Sequence, residues 1–414
     1  MVLGVIGLGK LGLCTAACFA KAGYRVIGMD IRKDYVEKLQ QTYKPLFFEP
    51  GLKDLLVKTK DYLSFVHDIK EVALKADVIF IIVPTPSEAD GAFSNKYILQ
   101  VFDSLSGYLK ERKDFFVINI VSTVIPTSGD KELIPYLERI LDKKEGIDFG
   151  YVYNPEFIAI GSVIKNFLNP DIVLIGSNES KSGEIVENIY KNTCENKPFF
   201  ARTTVLNAEI AKLSINCFCT MKISFANNLR EICEKVGADP YEITHIIGQD
   251  SRIGDKFIRP GLGFGGPCFP RDNQAFIKFC KDVREEATLS EATIKVNSRQ
   301  VDYVIKKIKK QITKIKDPIV SLLGLAYKTD TYLTEKSQAL EVARRLGDCK
   351  EIKELRVYDP YVSINGKWRC FNTLTECVKG ANAVVILLPY KDFLNSKAWY
   401  NLLCDPKVII NLWG

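Results

Sequence analysis

Two clusters in this chain carry chemistry by residue type and spacing. The first is Gly7-Leu8-Gly9-Lys10-Leu11-Gly12, a GxGxxG that follows the apolar run Leu3–Ile6 and opens a helical stretch. Asp30 ends the next apolar run, 18 residues after Gly12. That is the arrangement of a dinucleotide-binding turn. Gly7 allows the tight turn, Gly9 lets the backbone approach a pyrophosphate, and Gly12 lets helix and strand pack closely. The helix N-terminus, at Lys10 and Leu11, offers free N–H groups to phosphate. Asp30 can accept hydrogen bonds from ribose hydroxyls and repels a 2′-phosphate, so NAD is expected over NADP. Arg32 nearby softens that discrimination. A glycine turn serving packing alone is the other reading.

The second cluster is Gly265-Gly266-Pro267-Cys268-Phe269-Pro270-Arg271-Asp272. Pro270 suits the first turn of a helix, which puts Cys268 near a helix N-terminus, where a thiol's pKa falls. Asp272 can orient water or cap that helix. Spacing alone leaves Cys268 open between a catalytic thiol and a buried structural one. Lys212 and Asn216, four apart on a helix, share a face. A buried lysine beside an amide can stabilise an oxyanion; a solvent-facing polar pair is the bland alternative. Val83-Pro84-Thr85-Pro86 and Ser122-Thr123-Val124 each follow a strong apolar run, where ligands bind in open parallel sheets. Proline punctuation of loops is the alternative there.

The elements that position these residues read as follows. The first segment alternates apolar runs (Leu3–Ile6, Arg25–Asp30, Val78–Val83, Phe116–Val121, Tyr151–Tyr153, Ile172–Ile175) with helical stretches such as Leu11–Ala22 and Tyr35–Gln41, which predicts a parallel sheet covered on both faces. Thr204–Val236 is a run with few breakers and apolar positions at helical spacing, predicting a long helix. Further helices are predicted near Asp272, near Ser290 and over Glu335–Leu346. Strands are predicted at Ile319–Leu323, Leu355–Tyr358, Ala383–Leu388 and Val408–Ile410. At 414 residues the chain has room for two or three domains. Its 12 cysteines show no CxxC and no disulfide spacing, and His67 and His245 are its only histidines, so reduced thiols and no metal site are expected. The net charge of +7 comes partly from Lys306, Lys307, Lys309, Lys310, Lys314 and Lys316. These lack interleaved aromatics and read as a solvated helix face rather than a nucleic-acid site. No apolar run is long enough for a membrane span and no secretory signal is visible, so a cytoplasmic location is expected.

Taken in chain order, the GLGKLG turn, Val83–Pro86, Ser122–Val124, Asn154-Pro155-Glu156-Phe157, Lys212 with Asn216, the loop Pro260–Asp272 and Gly324-Leu325-Ala326-Tyr327-Lys328 resemble the UDP-glucose/GDP-mannose dehydrogenase family. The resemblance covers nearly the whole chain, from Gly7 to about Asp359. It implies an α/β protein of two Rossmann-like, doubly wound parallel-sheet domains joined by a long central helix. The expected boundaries are 1–198 for the NAD domain, 199–300 for a helical connector carrying the cysteine loop, and 301–414 for the nucleotide-sugar domain. A homodimer built around the helix is also implied.

The activity implied is oxidation of a nucleotide sugar's C6 alcohol to the carboxylate with two NAD. The cysteine traps the aldehyde as a thiohemiacetal, which becomes a thioester that water hydrolyses. By position Cys268 is the nucleophile, Lys212 and Asn216 stabilise the oxyanion, Asp272 lies by the thiol, and Thr123 belongs to the water network. Glu156 is an acid–base or water-positioning group, with Phe157 beside it. Pro84, Thr85 and Thr123 fall on the cofactor side. The loop Phe257–Gly266, including Gly261, Phe264 and Gly265, wraps sugar and phosphates through backbone groups. Lys328 binds substrate, and Arg252 reaches the neighbouring subunit's substrate. Three positions depart from the family pattern. Ile160 stands where many members have a second glutamate, Arg271 where lysine is usual, and Glu335 where a substrate-facing arginine is expected. UDP-glucose is the favoured substrate. GDP-mannose or another nucleotide-linked sugar or sugar alcohol, arrest at the aldehyde, and a catalytically silent nucleotide-sugar binder are the alternatives.

Overall fold

The apolar runs of the first two hundred residues become one eight-stranded sheet: β1 (Val2–Ile6), β2 (Arg25–Met29), β3 (Leu63–Val66), β4 (Val78–Ile81), β5 (Phe116–Ile120), β6 (Phe149–Tyr153), β7 (Ile172–Gly176) and β8 (Phe199–Thr203). The computed structural model describes residues 1–414, which divide into two compact units, Met1–Leu213 and Ser214–Gly414. Strand order in the first unit is β3-β2-β1-β4-β5-β6-β7-β8. Its first six strands have the order of a dinucleotide-binding fold, with the switch point between β1 and β4. The β4 and β5 side chains are buried throughout, because helices cover both faces and unbroken apolar runs are what such strands need. Alternate residues feed two cores: Leu3, Val5, Val78 and Phe80 pack on one face, Ile6, Ile79 and Ile81 on the other.

The all-parallel expectation needs one correction: β6 and β7 pair antiparallel. The connection from Tyr153 to Ile172 carries only the short helix Val163–Leu168, and it returns the chain at the same end of the sheet, so β7 runs back against β6. Two strands have no clear sequence signal. β3 is only Leu63-Ser64-Phe65-Val66, and β8 is a half-exposed edge with Phe199 68% exposed.

The second unit holds a five-stranded parallel sheet: β9 (Ile319–Leu323), β10 (Glu354–Tyr358), β11 (Arg369–Cys370), β12 (Ala383–Ile386) and β13 (Val408–Asn411), in the order β11-β10-β9-β12-β13. The helix expected from Glu335 begins later, at Gln338, because Ser337 caps it by accepting the Leu340 N–H at 3.1 Å. The helix expected near Asp272 begins at Phe269, with Pro270 in its first turn. The long helix is Val205–Val236, 32 residues, about 48 Å at 1.5 Å per residue. The boundary between the units falls within it. No helix is long and apolar enough to cross a membrane.

Candidate active site

In the first unit the chain leaves β1 through Gly7, at φ +95°, whose N–H bonds the Met29 carbonyl at 2.8 Å. A Cβ on Gly12 would lie 1.9 Å from the Gly7 carbonyl oxygen, so only glycine lets the helix Gly12–Lys21 start this close to the strand. Gly9 is different: a Cβ there would meet nothing within 4 Å. That open volume over the turn, with Lys10 and Leu11 leading into the helix, is the cradle a pyrophosphate needs.

Asp30 accepts the Leu8 N–H at 3.1 Å and the Arg32 N–H at 3.0 Å. The Arg32 guanidinium grips both its oxygens, at 2.9 and 3.0 Å. Burial alone would raise the Asp30 carboxyl, but these bonds outweigh it and hold it below the usual range. Asp30 is thus held ionised and oriented at the end of β2, with its charge largely balanced by Arg32. The residues present fit NAD. Arg32 also stacks 4.5 Å over the Tyr35 ring.

The loops after β4 and β5 are stitched together. Ser122 Oγ accepts the Val83 N–H at 3.0 Å and donates to the Val83 carbonyl at 2.7 Å. Thr85 Oγ1 donates to the Thr123 carbonyl at 2.7 Å. These bonds fix Pro84, Thr85 and Thr123 relative to one another beyond the strand ends. Four residues on, Thr127 has φ +82°, an outlier for a β-branched residue that stores of order 1–3 kcal/mol.

Glu156 lies on the loop after β6, its carboxyl accepting the Tyr190 hydroxyl. Burial pushes that carboxyl up to about 7, against the opposing pull of the Tyr190 bond and the Lys212 charge. A carboxyl poised there can give or take a proton at neutral pH. Lys212, itself buried, donates to the Glu156 carbonyl at 2.7 Å and lies 4.4 Å from the Phe157 ring centroid. Ile160 follows on the same loop, which Glu49 anchors from behind by accepting the Gly161 and Val163 N–H groups at 3.0 and 2.6 Å. Tyr190 and Glu49 carry no sequence signal of a role. Each is brought in from a segment distant in sequence.

In the second unit Cys268 immediately precedes the helix Phe269–Asp282 and is exposed. Its thiol therefore sits at a helix N-terminus, which favours thiolate. Cys404 is the other exposed thiol; the remaining ten are buried or partly so. Burial pushes Cys194 up to about 11 and Cys217 and Cys377 up to about 12, which leaves them inert at neutral pH. Asp272, in the first turn after Cys268, is buried and accepts the Asn216 amide at 2.5 Å. Its own N–H bonds the Cys268 carbonyl at 2.8 Å. Arg271 Nε lies 4.0 Å from its carboxylate.

The glycine loop before Cys268 is gripped by side chains. Asn227 accepts the Gly261 N–H at 2.9 Å, Gln338 accepts that of Gly263 at 2.9 Å, and Asn297 accepts that of Phe264 at 2.8 Å. The Gly266 N–H bonds the Glu335 carbonyl at 2.9 Å. These donors, expected to face a ligand, are instead committed within the unit and shape the loop. Gly265 and Gly266 are required by close approach: a Cβ on Gly265 would sit 2.3 Å from the Lys336 carbonyl oxygen, and one on Gly266 2.5 Å from the Tyr327 ring. Phe269 meets the rings of both Phe257 and Phe264, at 6.1 and 6.3 Å. Lys328 is partly buried on the turn after β9. Arg252 is 86% exposed and paired to Asp250 at 2.6 Å. Glu335 contributes its backbone to the cysteine loop, and its carboxylate faces solvent.

A dinucleotide-type glycine turn with a buried carboxylate after β2 and a carboxyl poised near neutral pH after β6 in the first unit, and an exposed thiol at a helix N-terminus in the second, are features of a nicotinamide-dependent, thiol-bearing oxidoreductase. The chain matches the UDP-glucose/GDP-mannose dehydrogenase family in all three of its parts: the NAD binding domain over residues 1–194, the central domain over 206–299 and the UDP binding domain over 321–414. A UDP-glucose 6-dehydrogenase of Bacillus subtilis strain 168 is 32% identical over 405 residues, 95% of this chain and 88% of that protein. A UDP-glucose dehydrogenase structure from Pyrobaculum islandicum superposes with a TM-score of 0.87 at 28% identity, covering 100% of this chain and 94% of the other. A UDP-D-ManNAc dehydrogenase structure from Pyrococcus horikoshii gives a TM-score of 0.85 at 26% identity, covering 100% and 96%. The chain belongs to the UDP-glucose/GDP-mannose dehydrogenase family, the NAD-dependent nucleotide-sugar 6-dehydrogenases.

Proposed function

We propose that this enzyme oxidises the C6 alcohol of UDP-glucose to the carboxylate through a covalent intermediate on Cys268. The observation that carries the chemistry is the exposed Cys268 thiol at a helix N-terminus, beside the buried Asp272 carboxylate that accepts the half-buried Asn216 amide. UDP-glucose is favoured because relatives named for it, such as the Bacillus subtilis enzyme, align along nearly the whole chain. Phe157 after Glu156 also departs from the arginine more often seen in members acting on N-acetylated sugars.

Bound NAD supplies the two-electron acceptor for each of the two oxidations. In the first, Glu156 manages the hydroxyl proton, directly or through a water that Thr123 orders, and Lys212 and Asn216 stabilise the developing oxyanion. The Cys268 thiolate adds to the resulting aldehyde carbon, and the new alkoxide takes a proton to give the thiohemiacetal. Loss of that hydroxyl proton and of the carbon-bound hydride leaves the thioester. Water then adds to the thioester carbon, the C–S bond breaks, and the carboxylate leaves with Cys268 restored. Asp272 orients this water, a duty made heavier by Ile160. Asp30 and Arg32 hold the adenosine ribose. Lys328 holds the sugar nucleotide, and the Phe257–Gly266 loop contributes groups other than the committed N–H donors of Gly261, Gly263, Phe264 and Gly266.

A homodimer belongs to the same reading. Phe218, Phe225, Ile232 and Val236 are all more than half exposed and fall on one stripe of the long helix, an apolar face that a second copy would cover. Arg252 then serves the partner's substrate.

The test is NADH formed per nucleotide sugar consumed, across UDP-glucose, UDP-N-acetylhexosamines and GDP-mannose. Two NADH per UDP-glucose is the expected result. One NADH would mean arrest at the aldehyde. Two NADH on a different sugar alone would overturn the substrate and keep the chemistry. NAD binding with no NADH from any sugar would support a silent binder.

A further inference from the structure

The strained Thr127 turn needs a group to enforce it, and that group is not among the residues that sequence picks out. Thr127 joins β5 to the π-helical turn Gly129–Leu133, with φ +82°. Such a backbone outlier persists only where its surroundings over-determine it. Glu209, fully buried near the start of the long helix, faces it. Glu209 Oε2 accepts the Thr127 N–H at 2.7 Å, and Oε1 accepts the Gly129 N–H at 2.8 Å. The helix start presses directly on the turn: a Cβ on Gly129 would lie 2.4 Å from Val205 Cγ1. One turn further along the same helix, Lys212 holds the Glu156 carbonyl at 2.7 Å. Adjacent turns of one helix therefore hold the loops leaving β5 and β6, the two that bear Thr123 and Glu156.

We propose that Glu209 is a positioning residue for the dehydrogenase reaction: its carboxylate locks the Thr127 turn and thereby sets Thr123. The proposal rests on the reading that Thr123 serves the reaction. The chemistry of the site requires a carboxylate. Two N–H donors converge on it, so both oxygens must accept. Burial pushes Glu209 up to about 7 and the two donors resist that rise. An amide of the same shape keeps one acceptor and turns an NH2 against an N–H. Glu209 touches neither the cofactor turn nor the cysteine loop in its bonding, so its influence runs through the backbone it holds.

The experiment uses the full chain with NAD and UDP-glucose, or whichever nucleotide sugar turns over fastest. The variants are Glu209→Gln, Thr127→Gly and both together. Glu209→Gln is expected to lower kcat about 10- to 100-fold, the scale of a misplacement near 1 Å, with KM for the sugar changed by less than about 3-fold. Thr127→Gly alone should stay near wild type, since glycine takes positive φ without strain. In the double variant glycine holds the turn unaided, and at least about 10-fold of the lost kcat should return. A lowered thermal midpoint with wild-type kcat per folded molecule would reduce Glu209 to a structural role and overturn the proposal. No recovery with Thr127→Gly would also overturn it, pointing to a proton-transfer role. If Glu209→Gln does not fold, Glu209→Asp, which keeps both oxygens on a shorter stem, carries the same comparison. Thr123→Ala separates the two levels. Wild-type activity in that variant sinks the reading of Thr123. An impaired Thr123→Ala beside a fully active Glu209→Gln sinks only the role of Glu209.

Discussion

Replacing Asn216 with alanine should weaken the second unit and the reaction together, by an amount the structure bounds. Asp272 is 2% exposed and accepts the Asn216 amide at 2.5 Å, while the Arg271 guanidinium stands off at 4.0 Å. A hydrogen bond to a charged, buried group contributes about 1.5–3 kcal/mol. Alanine's better helix propensity returns roughly 0.5 kcal/mol, leaving a net loss of about 1–2.5 kcal/mol. For a cooperative unit of this size that lowers the melting midpoint by about 2–10 °C. Asp272→Asn keeps the shape and removes the charge, so Asn216→Ala should cost about 1–2 kcal/mol less in that background. The assay is a double-mutant cycle read by urea unfolding and by NADH production. The Asp272 N–H bonds the Cys268 carbonyl at 2.8 Å, so disturbing the pair disturbs the turn that carries the thiol. We expect kcat to fall at least about 10-fold in Asn216→Ala. Strict additivity in the cycle, or an unchanged midpoint in Asn216→Ala, would falsify the claim that this pair is a buried, charge-assisted contact.

The two glycines of the cofactor turn should separate binding from folding. Gly9→Ala places its methyl in open space and is expected to keep the wild-type midpoint while raising KM for NAD at least about 10-fold; Gly12→Ala, with its Cβ 1.9 Å from a carbonyl oxygen, should lose stability as well. Equal stability loss in both would contradict the open cradle. Glu156, raised from 4.5 to about 7, binds its proton more tightly folded than unfolded, so its stabilising contribution is complete below pH 4.5 and is lost as pH rises through about 7. Glu156→Gln should flatten the fall in stability across that window relative to wild type, with Glu209 contributing equally to both proteins; an identical slope would show that Glu156 does not titrate there. Brief alkylation of the native protein at pH 7 should modify Cys268 and Cys404 first, and UDP-glucose should protect Cys268 alone. Labelling of buried Cys377 as fast as Cys268 would contradict the exposure argument.

How much the sequence discloses depends on whether a residue's partner is local. β4, β5, β9 and β12 are legible because burial on both faces demands unbroken apolar runs, and the cofactor turn is legible because its glycines sit at fixed offsets. β3 and β8 escape notice because a short alternating strand and a half-exposed edge resemble loop. Cys268 is legible from Gly265, Gly266 and Pro270 around it, yet the choice between reactive and structural thiol turns on exposure. Glu49, Tyr190 and Glu209 are invisible for a different reason. Their bonds span 114, 34 and 82 residues, and no local pattern marks a glutamate or tyrosine that serves a distant loop. Glu209, a charge within the buried start of a helix, offers the one hint that local pattern could have used.

The two sheets also show why the same turn need not bind the same ligand. Gly324 leaves β9 at φ +108° and bonds the Tyr358 carbonyl at 2.8 Å, as Gly7 leaves β1 and bonds Met29. Asp359 then takes the place Asp30 has in the first unit, accepting the Leu325 N–H at 2.7 Å. The resemblance stops at the carboxylate's remaining capacity. Asp359 also accepts the N–H groups of Ala326, Tyr361 and Val362, at 3.0, 2.8 and 3.1 Å, so four donors already surround it. Asp30 accepts two backbone donors and a half-exposed arginine that a ribose can displace. Gly324-Leu325-Ala326-Tyr327-Lys328 lacks the later glycines as well, and its helix starts only at Gln338, which removes the N–H cradle that a pyrophosphate uses in the first unit. On the proposed reading, a ligand on the second sheet is held by side chains such as Lys328 rather than by the turn itself. The proposed division would let the same fold serve a dinucleotide in one unit and a sugar nucleotide in the other through different groups.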